Sequence, residues 1–305
     1  MSKKLIKVGM HRMGEDRPFN RYFHLFFQSF PELFELYDFE MSEDPDFLFC
    51  GKYDIPKTKA VKIYYSNEGR EPNLVDTDWA FACDYEDLVK NPKYFRQPYY
   101  VRLGAGQDLV KGDINVKSIM KQKTKFCNFV YYHVTEPRDM FFKALSKYKR
   151  VDSPGSFNNN MPPTGGHDSV QTARFSSSVK VFDEKLEFIN PYKFTIAFSN
   201  RNYPGYTDEK IYHPMLVNSI PIHWGNHLVH RDFNPKSFIN AHDCPDSTNR
   251  FDRRMIEYLL HRVVELDKND DLYAKMLKEP WYYNNEPSAV VNRQRILTRF
   301  QMIFQ

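Results

Sequence analysis

Residues 198–226, FSNRNYPGYTDEKIYHPMLVNSIPIHWGN, concentrate side chains able to hold an anion. The segment reads as strand, loop, helix, strand and loop, half of a βαβ repeat. Its first loop carries Asn200, Arg201, Gly205 and Tyr206, and the helix opens at Thr207-Asp208-Glu209-Lys210. Thr207 is the expected N-cap; free N–H groups and the helix dipole make such a start an anion site. Lys210 then stands where it can reach a phosphate as a point charge. A surface ion pair with Asp208 or Glu209 is the competing reading, and residue types alone divide the two evenly.

Other chemistry-bearing patterns are weaker. His223, His227 and His230 have i, i+4, i+7 spacing, but Gly225 breaks the helix that metal ligands at this spacing need, and no zincin glutamate accompanies them. A structural or substrate-contact role is expected there. Asp76-Thr77-Asp78 has the DxD form by which some sugar transferases hold a metal on a diphosphate, and Asp44-Pro45-Asp46 repeats it. Capping or solvation is the expectation for the first. Gly104-Ala105-Gly106 lacks the third glycine and the acidic residue of a dinucleotide fingerprint.

These loops need strands to position them. Apolar runs at LIKVG (5–9), LFELYDF (33–39), DFLFCG (46–51), VKIYY (61–65), WAFAC (79–83) and KFCNFVYY (125–132) are continuous, as in a parallel sheet buried on both faces. A helical pattern surrounds Phe19–Phe30. Residues 151–169, rich in Gly, Pro, Ser and Asn, read as a junction. KFTIAFS (193–199) and IPIHW (220–224) flank a helix over 207–219, and RFDRRMIEYLLHRVVELDKN carries one apolar stripe at helical spacing. SAVVNRQRILTRFQMIF reads as a last helix able to pack on either domain. The expectation is an α/β protein of two domains, 1–155 and 156–305.

Composition narrows the function. The 305 residues carry a net charge of +4 with no basic groove of interleaved aromatics, so nucleic acid is not the expected partner. Aromatic residues reach 16% and can serve a core or a sugar site. Cys50, Cys83 and Cys127 sit in or beside apolar runs, Cys244 is widely spaced from them, and no CxxC pair occurs, as expected of reduced thiols. With no apolar stretch near the ~18 residues of a membrane span and too short an apolar run for a signal peptide, a cytoplasmic protein is expected. Peripheral membrane contact through the basic, apolar tail RQRILTRFQMIFQ ranks below simple packing.

The 198–226 segment resembles the bacterial α-1,3-fucosyltransferases of glycosyltransferase family 10. The family's block stands here as Phe198-Ser199-Asn200, Gly205-Tyr206-Thr207-Asp208-Glu209-Lys210-Ile211 and Ser219-Ile220-Pro221-Ile222-His223-Trp224-Gly225. Two further blocks, 126–155 and 64–85, are similar to family segments. The first places Arg138 at the family's diphosphate-binding arginine, the second Glu68 at its general base. There are departures: Ser199 stands for the family's Glu, Asn67 for a Gly and His223 for a Tyr, and the Arg138 block is about one residue short.

The resemblance implies a GT-B fold, two Rossmann-like doubly wound domains facing a cleft, acceptor on the first and GDP-fucose on the second. It implies an inverting transfer of L-fucose to a GlcNAc hydroxyl in a Gal-GlcNAc glycan. Glu68 would act as base and Glu209 would stabilise the cationic transition state or hold the donor. Arg138 and Lys210 would neutralise the diphosphate, with Asn200 and Tyr206 as donor contacts. No cofactor and no divalent metal is required, since two cations supply the electrophile. The alternatives are a transferase for another nucleotide sugar, a metal-dependent one built on Asp76 and Asp78, and a non-catalytic glycan- or nucleotide-binding protein of the same fold.

Overall fold

The structure is a computed structural model that describes residues 3–11, 30–102, 106–163, 179–245, 248 and 250–305, with the side chains of those residues except 179–183. The chain divides into two units. The first comprises Met1–Gly106, Pro204–Tyr206 and Ser288–Gln305, and the second Gln107–Tyr203 and Thr207–Pro287.

The first unit holds β1 (Lys4–His11), helix α1 (Pro31–Leu36), β2 (Tyr37–Met41), β3 (Phe47–Cys50), β4 (Val61–Tyr65), β5 (Trp79–Ala82) and β6 (Tyr94–Arg96). The strands form one sheet in the order β2-β1-β3-β4-β5-β6, with every pair parallel. All four residues of β3 are buried, the signature of an interior strand covered on both faces. The run 33–39, expected as one strand, is divided: Pro31 opens α1, where its fixed φ and missing N–H cost nothing, and the strand starts only at Tyr37. β2, one of the two edge strands, alternates half-buried with exposed residues. The helical pattern before Phe30 lies outside the described residues.

The second unit runs through α2 (Val116–Gln122), β7 (Lys125–Asn128), α3 (Glu136–Ser146), β8 (Val151–Asp152), α4 (Val179–Ile189), β9 (Tyr192–Phe198), α5 (Glu209–Leu216), β10 (Ile220–Trp224), β11 (Ile239–Asn240), α6 (Arg253–Lys268) and α7 (Asp270–Lys278). Its sheet is also parallel, in the order β11-β10-β9-β7-β8. The division expected at residue 155 therefore moves to 106. β7 pairs with β9 (Cys127 opposite Phe194) and β8 with β7 (Cys127 opposite Val151), so both strands before the Gly/Pro-rich stretch belong to the second sheet. Pro221 sits in a central strand, where a proline would ordinarily remove a ladder bond. β11 begins opposite Ile222, so no β11 residue pairs with Pro221.

Each sheet places its first strand between its second and third, the order of flavodoxin-like doubly wound folds, with a topological switch between β1 and β3 and between β7 and β9. Ligands of such sheets bind beyond the carboxyl ends of the strands at the switch.

The last segment returns to the first unit as α8 (Arg293–Ile303), whose buried face is Ile296, Leu297, Phe300 and Ile303. The tail expected as part of the second domain thus completes the core of the first. Phe300 stacks on Phe81 at 4.8 Å and approaches Phe30 at 5.8 Å, while Phe304 meets Phe47 at 4.9 Å. At the helix start Arg293 pairs with Glu32 through Nε and Nη2, and Arg295 Nη2 donates to both carboxylate oxygens of Glu86, both pairs half-exposed. Because Phe300 is completely buried, Phe300→Ala is expected to cost about 3–5 kcal/mol. A denaturant titration should show an earlier unfolding midpoint, and an unchanged one would refute the packing role.

Candidate functional site

At the switch of the second sheet the carboxyl end of β9 is gripped by a buried arginine. Arg138 lies in the first turn of α3 behind Pro137 and is 1% exposed. Its Nε and Nη2 donate to Phe198 O at 3.2 and 2.9 Å, and Nη1 donates to His133 O at 3.1 Å. Nη2 also donates to Asn200 Oδ1 at 2.6 Å. Four of the five N–H groups of a guanidinium are thereby used, leaving one on Nη1. The guanidinium lies over the ring of Tyr131, 4.2 Å from its centroid. The Tyr131 hydroxyl accepts the Phe198 N–H at 2.6 Å, and burial pushes that phenol well above its ordinary range. Arg138 and Asn200, predicted from two different blocks, are thus brought together, with Asn200 exposed.

The second half of this end is the start of α5. Its N-cap is Asp208, whose Oδ1 accepts the Lys210 N–H at 3.2 Å, and not Thr207 as expected. Thr207 is fully buried and its hydroxyl is committed elsewhere: it donates to Asp232 Oδ2 at 2.9 Å and accepts from Asn226 Nδ2 at 3.0 Å. Lys210 Nζ donates to Glu209 Oε1 at 2.8 Å and to Asp208 Oδ2 at 3.1 Å. The ion pair that competed with the anion reading is therefore present, on side chains only 16% and 23% exposed for Lys210 and Glu209. Burial by itself would raise the Glu209 carboxyl, but Lys210, Lys185 and His213 override it and hold the group below the usual carboxylate range. Tyr212, one turn along α5, donates its hydroxyl to Asp108.

Glu68 and Tyr206 fall in the first unit. Glu68 is exposed in the loop after β4. Its main chain is fixed by Ser66 Oγ, which accepts its N–H at 3.2 Å, and by the Arg70 N–H donating to its carbonyl at 2.8 Å. Tyr206 is 4% exposed and its hydroxyl donates to Glu68 Oε2 at 3.5 Å. The structure thus puts the tyrosine predicted as a donor contact beside the predicted base.

Sequence reasoning missed Asp232, Asn226 and Lys185. Asp232 and Asn226 meet Thr207 from loops 25 and 19 residues away, where no periodicity marks them. Lys185 sits in an apolar-rich helix that reads as packing.

The other chemistry-bearing patterns have local tasks. Asp78 Oδ2 accepts the Lys62 N–H of β4 at 2.8 Å, and Asp76 Oδ2 accepts from Asn73 Nδ2 at 3.0 Å. His227 Nδ1 lies 2.8 Å from Asn202 Oδ1. His223 is 1% exposed, its Nδ1 3.1 Å from Ala197 O. Ser199, where the family carries Glu, is fully buried, and its Oγ would lie 2.7 Å from a Cβ placed on Gly225. All four cysteines are buried free thiols. Among the described residues no group of three or more His, Cys, Asp or Glu is arranged to hold a metal ion, and no helix is long and apolar enough to cross a membrane.

Comparison with known proteins places this geometry. Residues 120–300 match the family model "Glycosyltransferase family 10 (fucosyltransferase) C-term". A putative fucosyltransferase of Acanthamoeba polyphaga mimivirus is 31% identical over 238 residues, which cover 76% of this chain and 37% of that protein. An alpha-(1,3)-fucosyltransferase of Helicobacter pylori is 28% identical over 283 residues, covering 81% of this chain and 53% of that protein. The chain thus spans between about a third and a half of the length of these relatives. A crystal structure of an alpha1,3-fucosyltransferase with GDP-fucose superposes with a TM-score of 0.72 at 22% identity, covering 100% of this chain and 92% of that one. A second, with GDP, gives 0.71 at 23% identity over 99% and 91%. That likeness establishes the GT-B fold.

Burial, and after it the neighbouring His242, pulls the His223 imidazole from 6.5 down to about 3. The unfolded chain therefore takes up a proton between pH 6.5 and 3 that the folded chain refuses, so stability falls as pH falls through that window. The slope from this residue is about 1.4 kcal/mol per pH unit. Chemical denaturation at pH 7 and pH 4.5 should show that loss, and His223→Phe should flatten it. An identical slope in the variant would refute the assignment.

Proposed function

The chain belongs to glycosyltransferase family 10, and on that premise we propose that it moves L-fucose from GDP-fucose to a GlcNAc hydroxyl of an N-acetyllactosamine-type glycan, with inversion. The names of the relatives support the sugar, and the related structures with GDP-fucose and GDP support the nucleotide. The observation that carries the reading is the pairing at the β9 end of the second sheet. Arg138 and Asn200 meet there at 2.6 Å, and Asn200 is followed in the chain by the helix start bearing Glu209 and Lys210.

In this reading the diphosphate is taken by the α5 N-terminus and Lys210, with the Nη1 N–H of Arg138 still available to it. Lys210 exchanges its two carboxylate partners for phosphate oxygens as negative charge grows on the departing GDP. The acceptor oxygen attacks the anomeric carbon while the bond from that carbon to the β-phosphate oxygen breaks, the electron pair leaving with GDP. Glu68 removes the acceptor's proton. Glu209, held ionised by its lysine neighbours, stabilises the oxocarbenium-like transition state. Two cations supply the electrophile, so no divalent metal is required. Peripheral membrane contact finds no support in the tail, whose apolar face is used in the first unit's core. Four buried thiols suit a reducing compartment such as the cytoplasm.

Mixing the protein with GDP-fucose and N-acetyllactosamine should give a fucosylated product by mass spectrometry, equally with EDTA present. Glu68→Ala should reduce kcat on the order of 100-fold or more, and Lys210→Ala should raise the KM for the donor. Product that disappears in EDTA would transfer the role to a metal. Donor binding with no turnover would favour a binding protein, the reading that Ser199 in place of the family's Glu keeps in play. No binding of any guanine nucleotide would end the fucosyltransferase reading.

A further inference from the structure

We propose that Arg96 is a positioning residue for the Glu68 carboxylate, acting through Cys83 and the turn Pro204–Tyr206; the assignment rests on the reading of Glu68 as the base. Arg96 ends β6 and is 6% exposed. Its guanidinium lies 4.0 Å from the centroid of the Tyr85 ring, and its main-chain N–H donates to Glu86 Oε1 at 3.0 Å. Nε donates to Cys83 O at 3.0 Å and Nη2 to Gly205 O at 3.5 Å. One buried cation therefore fastens two chain segments more than a hundred residues apart in sequence.

Both fastened segments continue to Glu68. The Cys83 thiol donates to Glu68 O at 3.5 Å, and Tyr206, next to Gly205, donates to Glu68 Oε2 at 3.5 Å. Among the described residues the Tyr206 phenol is the one side chain in hydrogen-bond reach of that carboxylate. The approach of the turn to Cys83 requires glycine: Gly205 has φ +82°, and a Cβ there would stand 2.2 Å from Cys83 O.

An exposed glutamate ordinarily samples several rotamers, and a base that must meet a hydroxyl in one orientation loses rate when it wanders. Arg96 touches neither substrate in this account. It holds the cysteine below Glu68 and the tyrosine beside it, so its loss should act on turnover and leave donor affinity alone. A merely structural arginine would lower stability, donor affinity and turnover together.

The test compares the wild-type chain with Arg96→Gln, Arg96→Lys and Tyr206→Phe. In Arg96→Gln we expect kcat to fall about 10- to 100-fold while the Kd for GDP-fucose by calorimetry stays within about twofold. Arg96→Lys, which keeps a cation, should recover part of the loss, and Tyr206→Phe should show a smaller fall of the same kind. Hydrogen–deuterium exchange supplies a readout independent of turnover: amides of residues 66–70 should exchange faster in Arg96→Gln, with peptides of β9 and β10 unchanged. Wild-type kcat in Arg96→Gln, or donor affinity lost in proportion to kcat, would overturn the proposal. Unchanged exchange at 66–70 would overturn it as well, even if GDP-fucose proves to be the wrong donor. A wild-type chain that makes no product fails the fucosyltransferase reading alone, and the exchange result then decides on Arg96.

Discussion

The second unit is organised around one buried positive charge. A guanidinium withdrawn from water is costly unless its donors are satisfied, and one lost partner leaves the rest stranded. Arg138 meets that demand with three protein oxygens and an aromatic face. The partners are not interchangeable. Phe198 O is the last carbonyl of β9, His133 O belongs to the loop after β7, and Asn200 begins the loop that leads to α5. Satisfying the charge therefore sets the spacing of the two strand ends at the topological switch and the path of the chain beyond them.

The helix start that follows is held in a complementary way, by neutral and anionic groups. Thr207 is locked by Asp232 and Asn226, so the turn before α5 has no freedom to drift. Asp208 caps the helix and shares Lys210 with Glu209. The lysine is thus kept folded against two carboxylates until a stronger anion competes for it. This is a different use of cation from Arg138: the planar fork is fixed for architecture, while the flexible ammonium is pre-positioned and exchangeable.

Much of this was legible in residue order, and the exceptions have identifiable causes. β4, β5, β9 and β10 come from largely apolar runs, as interior parallel strands do. The run 33–39 looked equally continuous, yet Pro31 imposes a helical start just upstream and the strand is displaced to Tyr37. Thr207 was the expected N-cap; a buried Asp232, 25 residues downstream, claims its hydroxyl, and the cap falls to Asp208, whose carboxylate is the stronger capping group. The seam between units was sought in the Gly/Pro-rich stretch near 155. Composition marks a loop there, but only strand pairing can show that β7 and β8 lie on the far side of the division. Arg138 and Asn200 were each legible through resemblance, whereas their mutual bond was not. Arg96 carried no signal at all, since a strand-terminal arginine among aromatics reads as surface.

The path of the chain through the first unit has a consequence for its biogenesis. That unit needs α8, because Phe300 fills the space against Phe81 and Phe30, and α8 is made only after the whole of the second unit. At roughly 5–20 residues per second, synthesis of the stretch from Gln107 onward takes on the order of ten to forty seconds. Throughout that interval the first unit lacks Phe300, whereas the core cluster of the second unit, from Val116 to Leu277, is complete before α8 is made. The first unit's sheet is therefore made before the second unit yet cannot complete its core until after it, and Phe81 waits that long for its aromatic partner.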